Sequence, residues 1–228
     1  MTEIQSEIIE NLIIRALRNT SDLITTGTCN SRIMMPNYRA KTIRYSEQEL
    51  KQIFLSLIET EKHFYYSVET PSNLSYRFVD GCPDVINSVE EQKEKKYESS
   101  RFDVTLYESN DINSSISQIE FKYNNPEVNE IGKDLLKLAN ENKDGQNYYF
   151  VHYNVVQSDS WKTETFPSIM EKYCNAFNIE KIDNTNFDHV WIFLMIVKKK
   201  EGDNETSIIK FSLKQLFDDM DRFKKYQF

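Results

Sequence analysis

Apolar positions recur at helical spacing at the start of the chain. Ile4, Ile8, Leu12 and Ile13 alternate with Glu7 and Glu10, which predicts an amphipathic helix over Glu3 to Arg18. Gly27, Asn30, Pro36 and Asn37 then read as an irregular connection. Leu50, Phe54 and Leu57 mark the buried stripe of a second helix, whose start is assigned to Ser46 with Glu49 as a capping box. Aromatic and β-branched residues closed by Pro71, Ser72 and Asn73 predict a strand over His63 to Glu69, and further strands are expected at Ser75 to Val79, Arg101 to Tyr107 and Ser117 to Tyr123. The last two, separated by a polar stretch around Asn110 to Ser114, predict a hairpin.

Helical spacing returns with Ile131, Leu135 and Leu138, followed by a buried strand over Tyr148 to Tyr153, so this helix is expected to cross between strands. A helix around Phe166 to Phe177, strands at Val190 to Val197 and Ser207 to Phe211, and a terminal helix with Leu213, Leu216, Phe217 and Met220 complete the pattern. Between Glu90 and Ser100 the chain is mostly charged and reads as a solvated loop or short exposed helix. Strands in the middle with helices on both flanks predict a layered α/β fold, a three-layer α/β/α arrangement around a central mixed sheet, over a single domain spanning 1–228.

Composition narrows the function. In 228 residues, 39% are hydrophobic and 28% charged, as for a folded globular chain. The longest strongly apolar run, Val190 to Val197, falls well short of the roughly 20 residues of a membrane helix, so no membrane partner is expected. Glu3, Glu7 and Glu10 interrupt the first apolar segment, unlike a secretory signal, which makes the cytoplasm the expected location. Cys29, Cys82 and Cys174 show no paired spacing and read as free thiols, while His63, His152 and His189 read as structural or surface residues. The net charge of −8 opposes a general attraction to phosphate, but Thr28 to Ser46 carries Arg32, Arg39, Lys41 and Arg44 with no acidic residue. With Tyr38 and Tyr45 among them, these four are the candidate nucleic-acid contacts, and Lys198 to Lys200 read as a solvated strand end.

Strand alternation sets the candidate chemistry. Asp103, Thr105 and Tyr107 share one face of their strand, opposite Phe102, Val104 and Leu106, and in the next strand Gln118, Glu120 and Lys122 share a face. Adjacent strands thus present Asp103, Glu120 and Lys122 together. Two converging carboxylates call for a cation, and hard oxygen ligands favour Mg²⁺ or Mn²⁺. A lysine beside them would orient or activate water, or stabilise charge developing on a phosphate.

Asp103 followed by Glu120-Phe121-Lys122 resembles the D…(D/E)-x-K signature of the PD-(D/E)XK nuclease superfamily, with Phe102 in place of the proline. The resemblance covers about 46–153 and implies a restriction-endonuclease-like core with added N- and C-terminal helices. It further implies a Mg²⁺-dependent endonuclease acting on nucleic acid, DNA by expectation, and leaves a homodimer open. The family often adds an acidic residue from the first core helix, for which Glu47 is the first choice and Glu61 the rival, while Glu69, on the strand before the meander, is a further candidate. Pro83-Asp84 is a literal Pro-Asp pair but lies away from the strand next to Glu120. The alternative expectation is an inactive member of the fold that binds nucleic acid or a protein.

Overall fold

The structure, a computed structural model, describes residues 1–38, 42–79, 82–86, 100–142, 145–176, 184–200, 202–219 and 222–223. It is a mixed α/β fold built on an open six-stranded sheet. Five α-helices are present among the described residues: α1 (Glu3–Thr26), α2 (Glu47–Glu61), α3 (Val128–Asn140), α4 (Thr165–Asn175) and α5 (Leu213–Asp218). The strands are β1 (Asn37–Tyr38), β2 (Thr42–Ile43), β3 (Tyr65–Pro71), β4 (Ser75–Val79), β5 (Cys82–Ile86), β6 (Arg101–Tyr107), β7 (Ser115–Tyr123), β8 (Tyr148–Val156), β9 (Val190–Lys198) and β10 (Glu205–Ser212). The main sheet runs β10-β9-β8-β7-β6-β3, while β1-β2 and β4-β5 form separate two-stranded ladders. Within it β3, β6 and β7 are antiparallel neighbours, β8 joins β7 in parallel after α3, β9 continues parallel, and β10 returns antiparallel.

Parallel β8 and β9 read as unbroken apolar runs because both of their faces are covered. Tyr149, Val151, Tyr153, Phe193, Met195 and Val197 enter one core cluster with the buried faces of α1 and α2. Tyr148, Phe150, Ile192, Leu194 and Ile196 enter a second cluster with side chains of α3, α4 and α5. Period-two alternation therefore distributes one strand between two cores.

The helices differ from their expected outlines at the ends. Helix α1 runs to Thr26, beyond Arg18, because Thr20 and Ser21 are buried in line with Leu17 and Ile24, and it stops at Gly27 with φ 77°. Its start is held by Thr2 Oγ1, which accepts from Gln5 N at 3.1 Å, and by Gln5 Oε1, which accepts from Thr2 N at 2.8 Å. The capping box expected at Ser46 does not form. Ser46 holds the N-cap position, but its hydroxyl donates to the Glu49 carboxylate and leaves the helix amides without a side-chain cap. The charged segment before Ser100, Phe177 and Met220 lie outside the described residues.

The expected hairpin of β6 and β7 forms, with a short 3₁₀ turn at Ile112–Ser114. One expectation about its faces is corrected. Phe102 joins the second core cluster, whereas Val104 and Leu106 join the first. The strands pair through Val104 opposite Ile119, and beyond that point the Phe121 amide bonds to the Asp103 side chain, so β6 turns as the ladder is replaced. The polar positions Gln118 and Glu120 are buried. Aspartate and glutamate here lie under helices, where charge must be compensated.

Candidate active site

Asp103 and the Glu120-Phe121-Lys122 segment meet where β6 and β7 part. Asp103 Oδ2 accepts a hydrogen bond from Phe121 N at 2.8 Å, so the carboxylate is fixed to the residue between Glu120 and Lys122. Phe121 points the other way, packing against Phe54 of α2 with ring centroids 5.6 Å apart, which fixes the phase of the strand. Glu120 and Lys122 thereby leave toward α3. Asp103 is joined through that hydrogen bond to the backbone of the segment that carries Glu120 and Lys122.

Each of them has a charged partner that the sequence reading did not assign. Lys51 of α2 places its Nζ 3.0 Å from Asp103 Oδ1 and 3.0 Å from Glu69 Oε1. Lys122 Nζ lies 2.8 Å from Asp134 Oδ2, and Lys137 Nζ lies 2.5 Å from Glu120 Oε1 and 3.2 Å from Asp134 Oδ1. Asp134 and Lys137 are three apart on α3 and so share a face. Lys51 stands one turn after Glu47 on α2. Each is a charged residue in phase with, or next to, the apolar stripe of its helix, a pattern that solvated side chains share.

Backbone geometry supports this cluster. Glu69 has φ 53°, a left-handed conformation inside β3 that interrupts the ladder between Val68 opposite Val104 and Thr70 opposite Phe102. A non-glycine residue held there costs about 1–2 kcal/mol, and here its carboxylate reaches Lys51. Asn124, φ 65°, ends β7 two residues after Lys122, and its carbonyl accepts from His152 Nε2 at 2.7 Å and Asn154 Nδ2 at 3.0 Å. His152 Nδ1 then accepts from Tyr173 OH at 2.5 Å. Burial holds the His152 imidazole at a pKa of about 4, so it is neutral, and its role is structural, as the sequence suggested.

Electrostatics within the site follow from burial. Glu120 is 3% exposed, and burial beside Asp134 and Asp103 pushes its carboxyl well above the usual range despite Lys137. Burial also acts on Asp134, but Lys137 and Lys122 outweigh it and hold that carboxyl below its ordinary value. For Lys122 burial works against the charge, yet Asp134, Glu47 and Glu120 push the pKa upward, so it remains an ammonium. Lys122 is thus suited to stabilise negative charge and unsuited to take a proton. Burial raises the Glu47 carboxyl, with Asp103 and Asp134 adding to it and Lys122 and Lys51 opposing, which puts Glu47 within electrostatic reach of the site. Glu61 sits at the far end of α2, paired with Arg15 and 3.6 Å from His63 Nε2.

The remaining candidates are dispersed. Asp84 lies on the separate β4-β5 ladder, opposite Arg77. Arg32 and Arg44 are exposed, and Arg39 and Lys41 lie outside the described residues. The lysine run is engaged: Lys198 pairs with Asp159 and Asp203, Lys200 with Asp159, and Lys199 Nζ donates to Tyr45 OH at 3.0 Å.

Among the described residues no group of three or more His, Cys, Asp or Glu side chains stands assembled as a metal cage. The carboxylates are drawn to ammoniums instead of to each other. Five carboxyl groups, Glu47, Glu69, Asp103, Glu120 and Asp134, share this region with three ammoniums, Lys51, Lys122 and Lys137, and burial favours the neutral form of Glu47 and Glu120. Glu120 Oε1 and Asp134 Oδ2 are buried without an aligned hydrogen-bond donor, although each touches an ammonium. All-oxygen donors are the ligand type that a hard divalent cation takes. No protein-family model, curated protein or solved structure matches the chain.

Proposed function

We propose that the protein is a metal-dependent nuclease that hydrolyses phosphodiester bonds, with DNA as the substrate, and that its fold is a restriction-endonuclease-like α/β/α arrangement. The observation that carries this reading is the hydrogen bond from Phe121 N to Asp103 Oδ2, which joins the aspartate to the Glu-x-Lys segment at one point. Support for the fold comes from the order of β3, β6, β7, α3 and β8 and from two apolar clusters supplied by different helices.

Asp103 and Glu120 would hold Mg²⁺ or Mn²⁺, with Glu47 as the helix-borne carboxylate. The cation would supply positive charge at the phosphate and acidify the attacking water. Lys122, kept charged by Asp134, faces the negative charge that develops on the phosphate oxygens in the transition state. Lys51 holds the Asp103 carboxylate from the α2 side while Phe121 N holds its other oxygen, so the ligand is orientated before substrate arrives. Exposed Arg32 and Arg44 are the described residues suited to phosphate contacts outside the cleavage point.

A second reading, an inactive fold of the same type that binds nucleic acid or a protein partner, is favoured by the internal ion pairs and the net charge of −8. Calorimetric titration with Mg²⁺ and Mn²⁺ separates the two. The nuclease reading expects binding that is lost in Asp103→Asn and Glu120→Gln, whereas binding absent from the unaltered protein would leave only the second reading.

A further inference from the structure

Lys137 occupies a position that the proposed chemistry does not use. Its side chain is 2% exposed, and its ammonium lies over the Phe102 ring, 5.0 Å from the centroid. Around Nζ stand three oxygens: the Arg101 carbonyl at 2.6 Å, Glu120 Oε1 at 2.5 Å and Asp134 Oδ1 at 3.2 Å. One main-chain carbonyl and two carboxylates around a buried point charge make a cage of the kind that oxygen ligands form about a cation. The carbonyl and Asp134 Oδ1 accept aligned hydrogen bonds, and Glu120 Oε1 makes the shortest contact of the three.

Resting on the metal-site reading above, we propose that Lys137 is the resident cation of the site, neutralising Glu120 and Asp134 in the metal-free protein, and that a divalent ion binds at Glu120 in competition with its ammonium. Two consequences follow from charge balance. Without Lys137, Glu120 and Asp134 would be two buried carboxylates facing Lys122 alone, and the metal-free protein would lose stability. With Lys137 present, an arriving cation meets a carboxylate that is already compensated, so affinity is held down and the metal is taken up only at higher concentration. The charged groups facing Lys137 are Glu120 from β7 and Asp134 from its own helix, with Lys122 on the far side of Asp134.

The test is calorimetric titration of the full chain with Mg²⁺ and Mn²⁺, together with thermal denaturation with and without the ions. Lys137→Met retains an unbranched side chain without the charge, and Lys137→Gln retains a polar end should the methionine variant fail to fold. The competition predicts that either variant melts lower than the unaltered protein without metal and binds the ion about tenfold more tightly or better, as loss of a nearby unit charge requires. The ion should also raise its melting temperature more than it raises that of the unaltered protein. Adding Glu120→Gln should abolish the gain. Metal affinity in Lys137→Met and Lys137→Gln equal to or weaker than in the unaltered protein overturns the resident-cation role while leaving the metal site standing. Absence of binding in all the proteins overturns both.

Discussion

Replacing Asp134 with asparagine removes one charge while preserving shape, in a place where that charge serves two lysines. Asp134 is 6% exposed, with Lys122 at 2.8 Å and Lys137 at 3.2 Å on its two oxygens. At an effective dielectric of about 20, each attraction is worth about 4 kcal/mol. Returning the carboxylate to water in the unfolded state offsets several kcal/mol of that, and Glu120 continues to compensate Lys137. The remainder is a loss of about 3 kcal/mol, near the lower end of the cost of breaking a buried pair from one side. For a chain of this size that corresponds to a fall of about 10 °C in Tm. Urea denaturation followed by circular dichroism at pH 7 reads it. Asp188→Asn is the control, because its pair with Lys214 at 3.2 Å is half exposed on both sides and should cost no more than about 0.5 kcal/mol. If Asp134→Asn and Asp188→Asn unfold at the same urea concentration, the buried α3 ion pairs carry no stability and the electrostatic description of the site is wrong.

Other expected outcomes are more local. Glu47→Gln should weaken Mg²⁺ binding about tenfold in calorimetry, while Glu61→Gln, removing a partner of Arg15, should leave it unchanged; the reverse order would assign the helix carboxylate to Glu61. Glu141 accepts from Asn73 N at 2.7 Å, Leu74 N at 3.1 Å and Tyr76 OH at 3.2 Å, tying the turn after β3 to the end of α3. Glu141→Gln turns an amide group toward these donors and should cost about 2–3 kcal/mol in urea denaturation, and a change below about 0.5 kcal/mol would refute the clamp. The pKa of His152, depressed to about 4 from an ordinary 6.5, predicts acid sensitivity. Above pH 6.5 both states carry neutral imidazole. As pH falls toward 4 the unfolded chain takes up a proton that the native one refuses, and about 3 kcal/mol is lost. An imidazole NMR titration should place His152 below pH 5, and a midpoint near 6.5 would contradict the buried neutral ring.

The strands of the sheet were legible because their patterns are strong: near-continuous apolar runs in β8 and β9, alternation in β6 and β7. The meeting of Asp103 with the Glu120-Phe121-Lys122 segment was legible through the same alternation. What alternation could not convey is the point where it stops. Phe102 enters a different core from Val104 because the Asp103 side chain takes the place of a ladder bond, a tertiary event with no local signature. Lys51, Asp134 and Lys137 were missed for a related reason. A charged residue beside an apolar stripe reads as solvated unless its counter-ion is known, and here the counter-ions come from β6 and β7. Ser46 and Glu49 match the spacing of a capping box, yet the two side chains bond each other. Spacing identifies groups able to cap, and the direction of the hydroxyl decides whether they do.

The central claim is cleavage of phosphodiester bonds by Asp103, Glu120 and Lys122 with a divalent ion. Single-turnover digestion of end-labelled DNA with Mg²⁺ or Mn²⁺, comparing the unaltered protein with Lys122→Ala and with a chelator control, tests it most directly. The account predicts metal-dependent cuts whose rate falls at least about a hundredfold in Lys122→Ala, as for loss of a group that stabilises transition-state charge. DNA left intact under every metal condition, or cut as fast by Lys122→Ala as by the unaltered protein, would contradict it.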